Sequence, residues 1–242
     1  MYRQSMIDYG APLEASEAPT PKPAGSQVLV RVSHCGVCHS DIHLHDGYFE
    51  LGEGKRLDVR SGRELPFTLG HEIAGTVEAA GPEAGDIDVE RPYAVYPWMG
   101  CGECRRCLAG EEHLCATTHH LGITVDGGYA SHVLVPHPRY LVDISGIPPE
   151  LAGSFMCSGV TAYSAVRKVL PYLNGGPLMI VGLGGVGMMG LSIARALTDG
   201  PIVAADIDPA KRQAALDAGA AHVFDPAAED ARKAVFKSCG AV

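Results

Sequence analysis

The sequence has no long apolar run: its longest stretches, such as residues 178–183, fall far short of the ~20 residues a membrane span needs. Its first residues, Met1-Tyr-Arg-Gln-Ser-Met-Ile-Asp8, lack the apolar segment of a secretory signal. Basic charge is not in excess either, with 19 Lys and Arg against 28 Asp and Glu and a formal net charge of −9. That balance argues against a broad electrostatic footprint for nucleic acid or anionic lipid. No internal repeat is present, and the 30 glycines gather in short motifs without a period, which excludes collagen-like and generally disordered chains. The expectation is a cytoplasmic globular protein with small-molecule partners and neither a membrane nor a nucleic acid among them.

What is there supports a packed core. The chain has 242 residues, 46% apolar and 19% charged, and at about 150 residues per domain it makes one or two domains. The first half alternates short β-branched runs with turn signals, at residues 27–32, 73–78 and 131–135, and reads as all-β. From about Pro149 the texture changes to helix 161–169, strand 178–181, a glycine-rich turn, helix 186–197, strand 202–205 and helix 209–218. Strands alternating with helices predict a parallel sheet with crossovers. The charge-dense stretches 50–64 and 83–91 read as solvated loops.

In a reducing compartment persistent disulfides are rare, so the eight cysteines read first as metal ligands. Cys101, Cys104, Cys107 and Cys115 are spaced C-x2-C-x2-C-x7-C. Four thiolates this dense close a tetrahedral shell, as a structural zinc requires. An iron–sulfur cluster is the main rival, but the ferredoxin run ends in C-x3-C-P, and this sequence does not. Cys38, His71 and Cys157 are scattered, and each alone has a bland reading as a packed thiol or a locally bonded histidine. Two cysteines and one histidine would leave a fourth zinc position free.

Gly70-His-Glu-Ile-Ala-Gly75-Thr-Val-Glu-Ala-Ala-Gly81 follows the pattern G-H-E-x2-G-x5-G. With Gly36-Val-Cys-His-Ser-Asp41, the Cys101 to Cys115 lobe and Phe155-Met-Cys-Ser-Gly-Val-Thr-Ala162, the chain resembles the zinc-dependent medium-chain alcohol dehydrogenases along nearly all its length. The resemblance implies a fold of α/β plus β: a GroES-like β-barrel catalytic domain over 1–150 with a zinc lobe at 98–116, then the first half of a Rossmann doubly wound parallel sheet over 151–242. It also supplies the Cys38, His71 and Cys157 ligand set for a catalytic zinc, hence two Zn2+ per chain. Cys35 forms C-x-x-C with Cys38, but it lies beside a β-rich segment and reads as packed rather than as half of a redox pair. Cys239 is unassigned.

Strand 178–181 runs into Gly182-Leu-Gly184-Gly185-Val186-Gly187 and then an apolar helix. This is G-x-G-x-x-G in its strand–turn–helix context, where the glycines allow a tight turn, pyrophosphate approach and close helix–strand packing. Asp206 ends the next strand, at the place of the acid that binds the adenosine ribose, and favours NAD over NADP. Lys211 is placed with the cofactor residues, as the side chain that could reach a 2′-phosphate, although it and Arg212 read as solvated.

The family resemblance assigns further roles. Ser40 takes the alcohol proton, His43 passes it on to solvent, Asp41 orients His71, Glu72 sits behind the zinc and His39 faces the cofactor pyrophosphate. His45, His119 and His120 read as surface residues. The function implied is oxidation of a primary or secondary alcohol, with medium-chain alcohols and ω-hydroxy acids among the candidates, by hydride transfer to NAD in a homodimer or homotetramer. Polyol, threonine or formaldehyde dehydrogenases on the same scaffold are alternatives, as is a non-catalytic zinc- and nucleotide-binding fragment. The chain departs from the family in the 50–64 insertion, which follows Tyr48 and Phe49, expected to line the pocket. Lys55, Arg56, Arg60 or Arg63 in it could receive a substrate carboxylate. The second departure is that the sequence stops at Val242. The expectation is a C-terminally shortened member with an exposed strand edge at 178–181, inactive by itself because the half flanking the nicotinamide is missing.

Overall fold

A computed structural model of the chain describes residues 1–231, 233, 235 and 236. It divides into two compact units, Met1–Cys157 and Ser158–Val242. In the first, the elements are β1 (Tyr2–Ser5), β2 (Glu14–Glu17), β3 (Val28–Gly36), α1 (His39–Asp46), β4 (Tyr48–Glu50), β5 (Arg56–Asp58), β6 (Glu72–Ala80), β7 (Pro92–Val95), α2 (Arg105–Leu108), β8 (His132–Val135), β9 (Leu141–Asp143) and α3 (Pro149–Ser154). Five of these strands form one antiparallel sheet in the order β8-β3-β6-β7-β9.

The alternation of these strands decides which face is buried. Val28 and Val30, Ile73 and Val77, Tyr93 and Val95, and Val133 and Val135 form one core with Met99, Leu121 and Tyr140, as a period of two requires. A second cluster joins Ala74 and Ala94 of the sheet to Ile144 and Ala152, and these small residues let α3 approach closely. At Gly153 a Cβ would stand 2.2 Å from the Glu72 carbonyl oxygen, so only glycine allows this contact. It carries the segment after α3 to the start of β6.

Two expectations change in this unit. The barrel is an open sheet, since among the described residues β8 and β9 do not pair with each other. The chain leaves β8 at Pro136, turns through Pro138–Tyr140 and enters β9 beside β7, on the opposite edge. Prolines there have no N–H to continue a ladder. Nor is the stretch 50–64 merely a solvated loop: Tyr48 to Glu50 pair with Arg56 to Asp58 as a hairpin, turned by Gly52 and Gly54 at φ of 82° and 74°.

The second unit holds α4 (Val160–Leu173), β10 (Leu178–Val181), α5 (Gly185–Leu197), β11 (Ile202–Ala205), α6 (Pro209–Asp217) and β12 (His222–Phe224). Its sheet is parallel, in the order β10-β11-β12. All four β11 residues are buried, the pattern of a strand covered on both faces. Leu178, Leu183, Leu191 and Ile202 pack with Val166 of α4 and Ala215 of α6. Among the described residues β10 pairs only with β11, and Val181 is 70% exposed. α4 runs past residue 169 to Leu173 and stops at Asn174, at φ 47°. The sequence also reads as a last helix near 227–237; part of that stretch, and Cys239, lie outside the described residues.

Candidate metal centres and dinucleotide turn

β3 ends at Gly36, where a Cβ would stand 2.3 Å from Glu72 Oε2. Two residues on, Cys38 is the N-cap of α1, and its N–H donates to Asp41 Oδ2 at 2.9 Å. The β3–β6 pairing sets Gly36 opposite Glu72, and so brings Cys38 to His71. Cys157 arrives in the helical turn after α3, its Sγ 3.8 Å from that of Cys38. The ligand atoms of Cys38, His71, Glu72 and Cys157 all lie within 4.8 Å of one another.

His71 is wholly buried. Its Nδ1 meets Asp41 Oδ1 at 3.1 Å, while Nε2 is buried with no hydrogen-bond partner among the described residues. An Nδ1–H donated to a carboxylate leaves the Nε2 lone pair free, which is the tautomer a metal needs. Burial works against the imidazolium, but Asp41 and Cys38 outweigh it and hold the His71 pKa up at about 9. The neighbouring Cys157 thiol and His71 imidazole lower the Cys38 pKa to about 3, against its burial. Cys157 is pushed far up, by its bond to that thiolate and by burial. Burial and then the Cys38 charge raise Glu72. An ion bound by both sulfurs displaces a thiol proton.

The second set is local. Sγ to Sγ distances are 3.9 Å for Cys101 and Cys107, 3.5 Å for Cys104 and Cys107 and 3.9 Å for Cys104 and Cys115, and all four sulfurs lie within 4.8 Å of one another. Backbone N–H groups donate to sulfur from Cys104 to Cys101, from Cys101 to Cys115 and from Thr117 to Cys115. Backbone donation lowers the Cys101 pKa to about 7, whereas burial raises Cys107 to about 12. Glu112 anchors the lobe, accepting from Gly100 N–H at 2.9 Å and pairing with Arg139 at 3.1 Å.

In the glycine turn each glycine has its own constraint. Gly182 has φ 87°, Gly184 and Gly185 have open space where a Cβ would stand, and a Cβ at Gly187 would meet the Gly182 oxygen at 1.8 Å. Among the described residues no side chain caps the α5 N-terminus at Gly184, so its N–H groups remain for an anion. Buried Asp206 accepts from Leu183 N–H at 2.7 Å and Asp208 N–H at 2.9 Å. These bonds, from Asp208 first, depress its pKa. Arg212 is spent on the Asp206 and Ile207 carbonyls and on Asp225, while Lys211 is exposed.

The remaining expected residues fall as follows. Exposed His39 stacks on His43 with centroids 4.6 Å apart, and His43 lies 4.5 Å from Phe49 of the hairpin. Cys35 is half-buried, and desolvation pushes its pKa up to about 12. His119 is exposed, but two surface assignments need correction. His45 is half-buried and its Nε2 meets the Ala11 carbonyl at 2.6 Å. His120 is also half-buried, edge-on to Trp98, with a buried, unpartnered Nε2. Of the four insertion cations, Lys55 pairs with Glu53, Arg56 with Glu50 and Arg60 with Asp58, and Arg63 donates to Val59 and Ile123 carbonyls.

Two residues at the site were missed from the sequence. Trp98, the only tryptophan, packs on His71 at 5.7 Å and donates to the Met156 carbonyl at 2.8 Å. Tyr129 donates to Asp41 at 3.0 Å. The signals available were a lone tryptophan just before the first lobe cysteine, and a Gly-Gly-Tyr.

The model of the alcohol dehydrogenase GroES-like domain matches residues 24–146. A NAD-dependent alcohol dehydrogenase of Sulfurisphaera tokodaii is 40% identical over 95% of this chain and 65% of its own length. The crystal structure of a D-arabinose dehydrogenase from Sulfolobus solfataricus superposes with a TM-score of 0.85 at 28% identity, over 98% of this chain and 69% of that one. A cobalt- and zinc-bound thermostable alcohol dehydrogenase from Pyrobaculum aerophilum does so with a TM-score of 0.78 at 29% identity, over 93% and 65%. The chain thus spans about 65% of the length of the curated relative it matches. Because the matched region takes in Cys38, His71 and the four-cysteine lobe and covers half of the sequence, the chain belongs to the zinc-dependent medium-chain alcohol dehydrogenase family.

Proposed function

We propose that the chain belongs to an NAD-linked, zinc-dependent enzyme that oxidises a primary or secondary alcohol to an aldehyde or ketone. The observation that carries this reading is His71 Nε2, a buried nitrogen without a partner beside the thiols of Cys38 and Cys157. An unsatisfied buried polar group costs about 1–3 kcal/mol, and two sulfurs with an imidazole nitrogen form a donor set suited to Zn2+. Cys101, Cys104, Cys107 and Cys115 would hold a second, structural ion with no position left open. Seven free cysteines among the described residues suit a reducing cytoplasm.

Cys38, His71 and Cys157 would hold the catalytic ion, with Glu72 behind it. When bound, zinc supplies Lewis acidity toward a substrate hydroxyl and NAD supplies the hydride acceptor. The chain's own residues do the rest. Asp41 keeps His71 in the tautomer whose Nε2 lone pair is free. Ser40 takes the alcohol proton and His43 hands it on toward solvent; a spacing of three in α1 puts them on neighbouring positions of one helix face, and an imidazole suits proton shuttling near neutrality. The open positions at Gly184 and Gly185, with the uncapped α5 N-terminus and His39, would receive the pyrophosphate. The Asp206 carboxylate would accept from the adenosine ribose hydroxyls and repel a 2′-phosphate, with Lys211 nearby. The enzyme would act as a homodimer or homotetramer.

The test is expression of the protein, elemental analysis, and NADH absorbance with alcohols, polyols, threonine and hydroxy acids, beside Cys38→Ser. Expected are NAD reduction by an alcohol in the parent, and none in a variant that keeps its circular dichroism. A parent with both metals bound and no NADH from any substrate overturns the activity; a protein without metal at the mixed site overturns the assignment of its ligands.

A further inference from the structure

Asp41 is 2% exposed and takes four contacts. Oδ1 accepts from Gly70 N–H at 3.2 Å and faces His71 Nδ1 at 3.1 Å, while Oδ2 accepts from Cys38 N–H at 2.9 Å and from the Tyr129 hydroxyl at 3.0 Å. Three of these partners belong to the segments that carry the ligands Cys38 and His71. Tyr129 alone comes from elsewhere, 88 residues along the chain. Its hydroxyl also lies 3.4 Å from the Gly36 carbonyl, but the contact to the carboxylate is shorter and charge-assisted.

The ring that carries this hydroxyl is fixed as firmly. Gly128 N–H donates to the Gly70 carbonyl at 2.7 Å and Tyr129 N–H to that of Leu69 at 2.9 Å, which zips the Gly-Gly-Tyr segment to the strand entering His71. A Cβ at Gly70, which has φ 96°, would stand 2.5 Å from Tyr129 Cδ1. The motif glycine before the ligand histidine is therefore also the space that the tyrosine ring fills.

We propose that Tyr129 is a positioning residue of the mixed cysteine–histidine site, setting its metal affinity through Asp41 and the His71 ring. The inference rests on the metal reading above. A buried carboxylate is held in one orientation by the donors around it. Tyr129 supplies the donor on Oδ2 that comes from neither ligand segment, so its loss frees Asp41 to turn and loosens the His71 tautomer and ring plane. Partners behind a metal-ligating histidine typically alter affinity about 10- to 100-fold, and a residue one bond further out acts through a fraction of that.

The test titrates metal-free full-length protein with Co2+ against a chelator, following the absorption of the mixed site, in the parent, Tyr129→Phe, Asp41→Asn and the double variant. Tyr129→Phe keeps the ring beside Gly70. It is expected to lower mixed-site affinity about fivefold to tenfold, to shift the Co2+ spectrum, to leave the four-cysteine lobe unchanged, and to add little once Asp41 is already Asn. An unchanged spectrum and affinity, or a full additive loss in the double variant, overturns the proposal. Should Tyr129→Phe not fold, 3-fluorotyrosine at 129 tests the same bond without changing the packing: its more acidic hydroxyl should tighten the mixed site, and no change overturns the proposal. A parent that binds Co2+ at the lobe alone, one ion per chain, fails the metal reading itself.

Discussion

Asp206 Oδ2 accepts the Leu183 N–H at 2.7 Å, so the acid at the end of β11 is tied to the middle of the glycine turn that follows β10. The residue expected to meet the adenosine ribose also braces the loop meant for the pyrophosphate. Asp206→Ser should therefore weaken NAD binding and narrow the preference over NADP by at least about tenfold, roughly 1.4 kcal/mol. Calorimetric titration with both nucleotides measures it, and an unchanged ratio would remove Asp206 from the ribose.

The same contacts set a pH dependence. Backbone donors depress the Asp206 pKa below its ordinary 3.8, so the native state binds fewer protons here than the unfolded chain. The stabilisation is present above the unfolded value and is lost as pH falls through the lower folded one. Acid denaturation followed by circular dichroism should show Asp206→Asn losing less stability than the parent below about pH 4.

Gly187 and Gly184, three residues apart in the turn, predict opposite outcomes. Gly187→Ala should destabilise the second unit by at least about 3 kcal/mol, because its Cβ would meet a backbone oxygen at 1.8 Å. Gly184→Ala meets nothing within 4 Å and should keep its melting temperature while losing nucleotide affinity. Thermal melts and NAD titration separate the two.

Elemental analysis should give two zinc ions per chain. Cys104→Ser should lose one with a lowered melting temperature, since structural metal binding contributes directly to folding. Cys38→Ala should lose the other with the fold retained. Iron with sulfide, or one zinc in the parent, would refute the division of roles.

In the insertion, Arg63 reaches the Ile123 carbonyl at 2.8 Å and lies 4.9 Å over Phe67, whereas Lys55 pairs with Glu53 in solvent. Arg63→Ala should cost about 1–2 kcal/mol and Lys55→Ala within about 0.5 kcal/mol, by urea unfolding. Because all four cations are engaged, a hydroxy acid and the matching plain alcohol should show equal kcat/KM.

Some features follow from what neighbouring residues settle among themselves. The apolar run at Ile202–Ala205 has to be buried, Gly182 to Gly187 has to turn and open a helix, and four cysteines within one short loop meet because no distant contact is needed. Tertiary structure decided what lies far apart in the chain. Cys38 and Cys157, 119 residues apart, meet only because β3 pairs with β6 and Gly153 lets α3 press against Glu72; family resemblance marked them, but neither periodicity nor spacing could have done so. The open sheet, the hairpin in the insertion, the half-buried His120 and the Tyr129 hydroxyl on Asp41 were likewise decided there. Turn chemistry and hydrophobic period act over a few residues, whereas the burial of a particular side chain and the partner of its polar atom depend on what the rest of the fold packs against it.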